Sequence, residues 1–179
     1  MPAYISGIIW VADYIDRKWI RIQVWSSALL HLLIAIEIIF YVVPVKSDDT
    51  WLGWKTLASS VETLRANDPG AFVFSADENK TSAILNFYLG GNVYAENIIG
   101  QPALQFDYMG TDLKSLEGKN AFFINSSPGF KNELRENDFP PVLHEYFDTV
   151  IEMDPVVVHK NGKAVRKFLV YYCRNYHPK

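Results

Sequence analysis

The stretch from Trp25 to Val45, WSSALLHLLIAIEIIFYVVPV, carries one histidine, His31, and one glutamate, Glu37, in an otherwise apolar run. Its reading decides whether the chain opens with the core helix of a soluble domain or with a membrane span. Between Ile22 and Val45, Glu37 is the only formal charge, and about 20 mostly apolar residues suffice for a helix to cross the hydrocarbon core. A core helix is usually shorter and keeps a polar stripe, whereas here apolar side chains fall all round the helix. Trp19 and Trp25 near one end and Tyr41 near the other are placed as interfacial aromatics, and Pro44 stops the helix. The stretch therefore reads as a span.

Charge gives the span a direction. Arg17, Lys18 and Arg21 precede it while Ser47, Asp48 and Asp49 follow it, so the positive-inside tendency puts everything after it on the outer side. Ahead of the basic cluster, residues 3–15 lean apolar but are too few to span. A secretory signal peptide would carry its positive charge before such a stretch and a small-residue cleavage site after it, the reverse of the order here. The expectation is a membrane helix hairpin that ends one helix, turns at Asp16-Arg17-Lys18 and crosses back. Ionisable groups at membrane depth usually face a protein interior or a watery cavity. His31 and Glu37 are therefore candidate cavity residues, about 9 Å apart along the axis and too far apart in angle to pair. The plainer alternative for Glu37 is a polar group on a neighbouring helix.

The rest of the chain differs in character. With 179 residues, one domain and an appendage are expected, divided near PVKSDDT into a membrane segment, 1–46, and an extracytoplasmic domain, 47–179. A net charge of −3 with interspersed signs lacks the basic footprint of a nucleic-acid binder. The single cysteine, Cys173, has no partner for an internal disulfide or a CxxC site and suits a buried place in a terminal strand.

Within the second part, Trp51, Trp54, Leu57, Ala58, Val61 and Leu64 recur at helical steps, predicting a helix over 50–67 that ends at NDPG. AFVFSA predicts a strand buried on both faces, ENKTSAILNFYLGG a helix closed by Gly90-Gly91, NVYAE and NAFFINS two further strands, and PPVLHEYF a short helix. The C-terminal DTVIEMDPVVVHKNGKAVRKFLVYYCRNY predicts two strands around Asn161-Gly162, a pair suited to a type I′ hairpin turn. The fold class expected is α/β, a small sandwich with a mixed sheet and a C-terminal β-hairpin. Gly90-Gly91 closes a helix rather than opening one, so no phosphate cradle is predicted. His144, His159 and His177 have no metal-ligand spacing. Ser126 and Ser127 with His144 lack the flanks of a nucleophile elbow and read as a turn.

A more specific signal runs from Gly53 to Gly110. Gly53-Trp54, Asp77, Phe87-Tyr88, Val93-Tyr94 and Gln105-Phe106-Asp107 resemble the "GW..L" helix, acidic residue, "FY" helix end, "vY" strand and "Q-[YF]-D" element of the extracytoplasmic C-terminal region of large bacterial membrane glycosyltransferases. That group is similar to the dolichyl-phosphate-mannose protein mannosyltransferases and the lipid A aminoarabinose transferases. Pro2-Ala3-Tyr4, the basic turn and the final span are similar to its last two membrane helices. The chain departs from the pattern at Glu78, Asn79 and Ile84, and has Tyr108-Met109 where a tryptophan is common.

The resemblance implies transfer of a sugar from a polyprenyl-phosphate donor to a carbohydrate or lipid acceptor, with inversion, at a bacterial inner membrane whose outer side holds the soluble domain. No cofactor or metal is expected. The resemblance also implies that the catalytic carboxylate lies in an early loop of such enzymes, outside this sequence, so this chain alone is not expected to turn over. The donor would be engaged through that region. Asp77, Asn86, Tyr88, Gln105, Asp107 and Tyr108 are the expected acceptor-side residues. Against this stand a helix-cap role for Asp77 and half-buried core roles for Tyr88 and Tyr108. The competing readings of the whole chain are a membrane-anchored binding or interaction domain without catalysis, and a soluble α/β enzyme with a buried N-terminal helix.

Overall fold

The computed structural model describes residues 16–40, 42, 52–77, 79–91, 93–110, 112–126 and 141–179. The chain divides into two units, 1–44 and 45–179. The expected partial helix over 3–15, Tyr41, Pro44, residues 47–49, Trp51 and Ser127 lie outside the described residues.

In the first unit, helix α1 runs over Arg17–Phe40 with none of its residues buried. At 1.5 Å per residue it is about 36 Å long, more than the ~30 Å of a hydrocarbon core, and it is long and apolar enough to cross a membrane. The helix starts earlier than the sequence suggests. The amides of Trp19 and Ile20 already donate to the Asp16 carbonyl, so Arg17, Lys18 and Arg21 occupy its first turns rather than a turn before it. His31 Nδ1 lies 2.7 Å from the Ser27 carbonyl one turn back. A carbonyl only accepts, so that nitrogen carries the proton and the ring is tied to its own helix.

The second unit is built around helix α2 (Trp54–Asn67), strand β1 (Phe72–Ser75), helix α3 (Lys80–Leu89) and strand β2 (Val93–Tyr94). A 3-10 helix (Glu96–Ile99), the single-turn helix α4 (Gln105–Tyr108) and a second 3-10 helix (Leu113–Leu116) lead to strand β3 (Ala121–Asn125). Helix α5 (Leu143–Tyr146) and strands β4 (Phe147–Glu152), β5 (Val156–Lys160) and β6 (Lys163–Tyr176) complete it. The described strands form a mixed sheet in the order β2-β1-β3-β6-β4, with β5 also on β6. β2, β1 and β3 are parallel, and β6 runs antiparallel to β3, β4 and β5. The α/β class with a mixed sheet and a C-terminal hairpin is thus what the chain adopts.

All four residues of β1 are buried, as a parallel strand covered on both faces requires. Phe72 and Phe74 point to the face covered by Ile98, Ile99, Leu116, Leu143 and Tyr146, the contributions of the two 3-10 helices and α5. Aromatic rings fill this layer: Phe74 stacks on Phe147 at 5.6 Å and meets Phe123 at 5.1 Å. The buried Tyr176 hydroxyl donates to the Ile98 carbonyl at 2.6 Å. Val73 and Ser75 point the other way, toward α2 and α3. There Trp54 packs on Phe168 at 5.4 Å, and the buried Arg166 guanidinium lies 4.1 Å from the Trp54 ring centroid and donates to the Leu52 carbonyl. Cation-π attraction and that bond compensate part of the cost of burying the charge.

The C-terminal segment corrects the sequence reading. It forms three strands, not two: Met153–Pro155 separates β4 from β5, and the 14-residue β6 pairs with both. Pro155 has no amide to continue a ladder, and β6 is long enough to serve β5 with its first half and β3 and β4 with its second. The hairpin turn itself is as expected, with Asn161 and Gly162 at φ of 50° and 74°. Cys173 is buried in β6, and burial pushes its thiol up to about 12. Helix α2 begins at Trp54, later than the expected start.

At the N-terminal end of the parallel strands, Tyr172 and Asn120 both donate to Asp68 Oδ2, at 2.7 and 2.9 Å. The Asn120 bond first, then that of Tyr172, holds the Asp68 carboxyl below its ordinary value of 3.8. A carboxylate whose folded pKa is depressed stabilises the fold above its unfolded pKa and loses that contribution as pH falls through the folded value. Stability should therefore drop below about pH 4, and Asp68→Asn should flatten that part of the profile in urea titrations. Gly100 has φ 71°, and a Cβ there would run into the Tyr146 hydroxyl. Gly100→Ala should cost about 2–4 kcal/mol by the same measurement, combining left-handed strain with overpacking.

Candidate functional site

β1 lies between β2 and β3, so the chain proceeds from β1 to one side and then returns past it to the other. In open α/β sheets ligands bind outside the carboxyl ends of the strands where the order reverses in this way. The carboxyl ends of β1 and β3 here carry Ser75, Asp77 and Ser126.

Asp77 is the centre of this edge. Its Oδ1 accepts from the Ser75 hydroxyl at 2.9 Å and the Thr81 amide at 3.3 Å, and its Oδ2 from the Thr81 hydroxyl at 2.5 Å and the Ser126 hydroxyl at 2.6 Å. One carboxylate thus joins the end of β1, the first turn of α3 and the end of β3. Beneath it, the buried Ser82 hydroxyl lies 2.6 Å from Ser75 Oγ and donates to the Tyr94 carbonyl at 2.5 Å, tying in β2. A carboxylate has about four lone-pair directions, and four donors occupy these. Asp77 therefore caps α3, and it shapes the crevice by holding the hydroxyls of Ser126 and Thr81 rather than standing as a free base.

Asn79 occupies the N-cap position of α3 but makes no side-chain cap bond. Its amide instead donates to Gln105 Oε1 at 3.1 Å, which brings α4 to the same edge. Gln105 is presented by an unusual turn. Leu104 has φ 49° and ψ −121°, a region that favours glycine, at a cost of about 1–3 kcal/mol. The Ala103 amide donates to Asp107 Oδ2 at 2.8 Å, and Ala103 and Phe106 pack with Ala95 in a small buried cluster. These contacts hold the turn in place.

The expected site residues accordingly separate. Asp77 and Gln105 come together at the carboxyl edge. Asp107 is engaged in closing the α4 turn. Asn86 braces β2, its amide donating to the Val93 carbonyl at 2.7 Å and its oxygen accepting from the Val93 amide. Tyr88 sits at the far end of α3 against Phe87 and is 45% exposed; Tyr108 is 91% exposed. Tyr108 is therefore not the half-buried core residue considered as an alternative, whereas Tyr88 is buried over about half of its surface. Sequence reasoning missed Asn79 and the joining role of Ser126. A polar pair flanking an acidic residue after an apolar strand was the available signal for the first; the second depends on a contact 49 residues away. Ser126 donates to Asp77, and His144 is exposed on α5. Among the described residues no group of three or more His, Cys, Asp or Glu could hold a metal ion.

Replacing Asp77 by alanine would leave three hydroxyl donors without their acceptor, all of them on buried residues, Ser75, Thr81 and Ser126. The expected loss is at least about 2 kcal/mol, read as a lower urea midpoint at unchanged slope. Gln105→Ala, on an exposed side chain, should stay within about 0.5 kcal/mol of the parent. Comparison with protein-family models, with curated proteins and with solved structures finds no match for this chain.

Proposed function

We propose that this chain is the membrane-anchored, acceptor-side domain of a glycosyltransferase that uses a polyprenyl-phosphate sugar. In this reading α1 is a membrane span, the α/β unit lies on the outer side of a bacterial inner membrane, and the carboxyl edge of β1 and β3 receives a saccharide or lipid-linked acceptor. The observation that carries it is the Asp77-centred edge. Across that edge the exposed Asn79–Gln105 pair offers the mixture of amide donors and acceptors that a polyhydroxylated ligand needs, in the chain segment whose motifs resemble that family. The donor sugar, the acid-base chemistry and the phosphate-stabilising cations belong to a catalytic region beyond these residues. His31 and Glu37 would face that region.

One observation favours the second reading, an anchored binding domain without catalysis: the carboxylates of Asp77 and Asp107 are engaged by donors of their own unit. The two readings share the ligand and part on transfer. A panel of free and lipid-linked saccharides offered to the full chain in detergent micelles tests the shared part. Asn79→Ala and Gln105→Ala should each weaken saccharide binding about tenfold, the equivalent of about 1.4 kcal/mol, with unchanged thermal unfolding. Absence of saccharide binding, or binding by both variants as tight as that of the parent, contradicts the proposal.

A further inference from the structure

The second unit exposes few large apolar side chains, and they are not scattered. Among its described residues these are Phe87, Tyr88, Leu104, Tyr108, Met109 and Ile151. All but Ile151 lie on α3 or in the turn around α4, the two elements joined by the Asn79–Gln105 bond. Three fall within residues 104–109: Leu104 is 58%, Tyr108 91% and Met109 67% exposed. Leu104 is the telling one. It adopts a backbone conformation that favours glycine while its side chain stays more than half exposed, so within the unit itself a leucine brings strain with little packing in return. The turn is nevertheless held in place by Asp107 and the Ala95, Ala103 and Phe106 cluster. A fixed turn that presents leucine, tyrosine and methionine outward is built to bury them elsewhere.

We infer that the Leu104–Met109 turn inserts into the interfacial layer of the lipid bilayer. The inference rests on the membrane reading of α1 proposed above. Residues 41–53 join α1 to α2, and a connection of that length reaches at most about 45 Å, so a bilayer crossed by α1 would keep the α/β unit tethered close to its surface. Tyrosine is the side chain that prefers the boundary between headgroups and acyl chains, with its ring in the apolar layer and its hydroxyl in the wet one. Leucine and methionine beside it add apolar area that needs no shape-matched partner. The consequence for the site is direct. Gln105 sits inside this turn, so docking it on the bilayer holds the Asn79–Gln105 pair at the height where the headgroup of a lipid-linked saccharide emerges.

The test uses the full chain in liposomes of phosphatidylethanolamine and phosphatidylglycerol. Met109→Cys and, as a control on the exposed segment between β4 and β5, Asp154→Cys are each labelled with an environment-sensitive nitrobenzoxadiazole dye. The native Cys173 is buried and is left unlabelled under native conditions. The expected result is that the chain floats with the liposomes and that lipids carrying a doxyl quencher just below the headgroup quench the label at 109 at least threefold more than at 154. Equal, weak quenching at both positions in liposomes that float the chain overturns the inference and leaves the membrane anchor standing. A label at 109 that is shielded from water without lipid quenching also overturns it, in favour of a protein partner or second copy on the turn. A chain that stays in the aqueous fraction overturns the anchor and this inference with it.

Discussion

The Asp77 carboxylate connects the ends of two parallel strands and the start of a helix through four hydrogen bonds, and the geometry of the whole carboxyl edge follows from it. Parallel strands end with unpaired backbone groups and chain leaving in different directions. A compact anion that accepts from Ser75, Thr81 and Ser126 together fixes those exits with few residues. The arrangement also explains why the edge is rich in short hydroxylated side chains: each has one proton to give and reaches the carboxylate without a long, entropically costly stem. What remains open toward solvent is the Asn79–Gln105 pair and the turn that carries Gln105.

The two units solve different physical problems. The α/β unit buries aromatic rings on one face of its sheet and the Trp54, Phe168 and Arg166 stack on the other. Helix α1 has none of its residues buried among the described residues, and it is long and apolar enough to cross a membrane. In the proposed function a bilayer surrounds that helix and would confine the attached domain to a thin layer next to the membrane. Confinement suits a domain that must meet substrates which themselves cannot leave the bilayer, and it converts modest contacts into effective ones by raising local concentration.

Much of the fold was legible because its signals are periodic. Buried β1, the α3 helix with its Gly90 end and the Asn161-Gly162 turn each follow from local patterns whose physics is strong. The parts that were not legible depend on contacts distant in sequence or on elements too short to have a period. The 3-10 helices and α4 span four residues each, barely one turn. β4 and β5 read as one strand because a single Asp-Pro step gives little warning that the chain moves to a different stretch of β6. The burial of Arg166 depends on the Trp54 and Phe168 rings that lie side by side against its guanidinium, a contact that reaches back to Trp54, more than 100 positions away. At the site, Asp77 and Gln105 were recognisable as polar residues in a motif, but the saturation of Asp77 and the bracing role of Asn86 required three-dimensional partners.

In the proposed function α1 holds the α/β unit on the outer side of a membrane. The most direct measurement is alkaline carbonate extraction of membranes from bacteria expressing the full chain, followed by protease treatment of intact spheroplasts. The account predicts that the chain resists extraction and that residues 52–179 are digested from outside while a cytoplasmic marker survives. A chain released by carbonate, or a domain protected from protease until the spheroplasts are lysed, would contradict it.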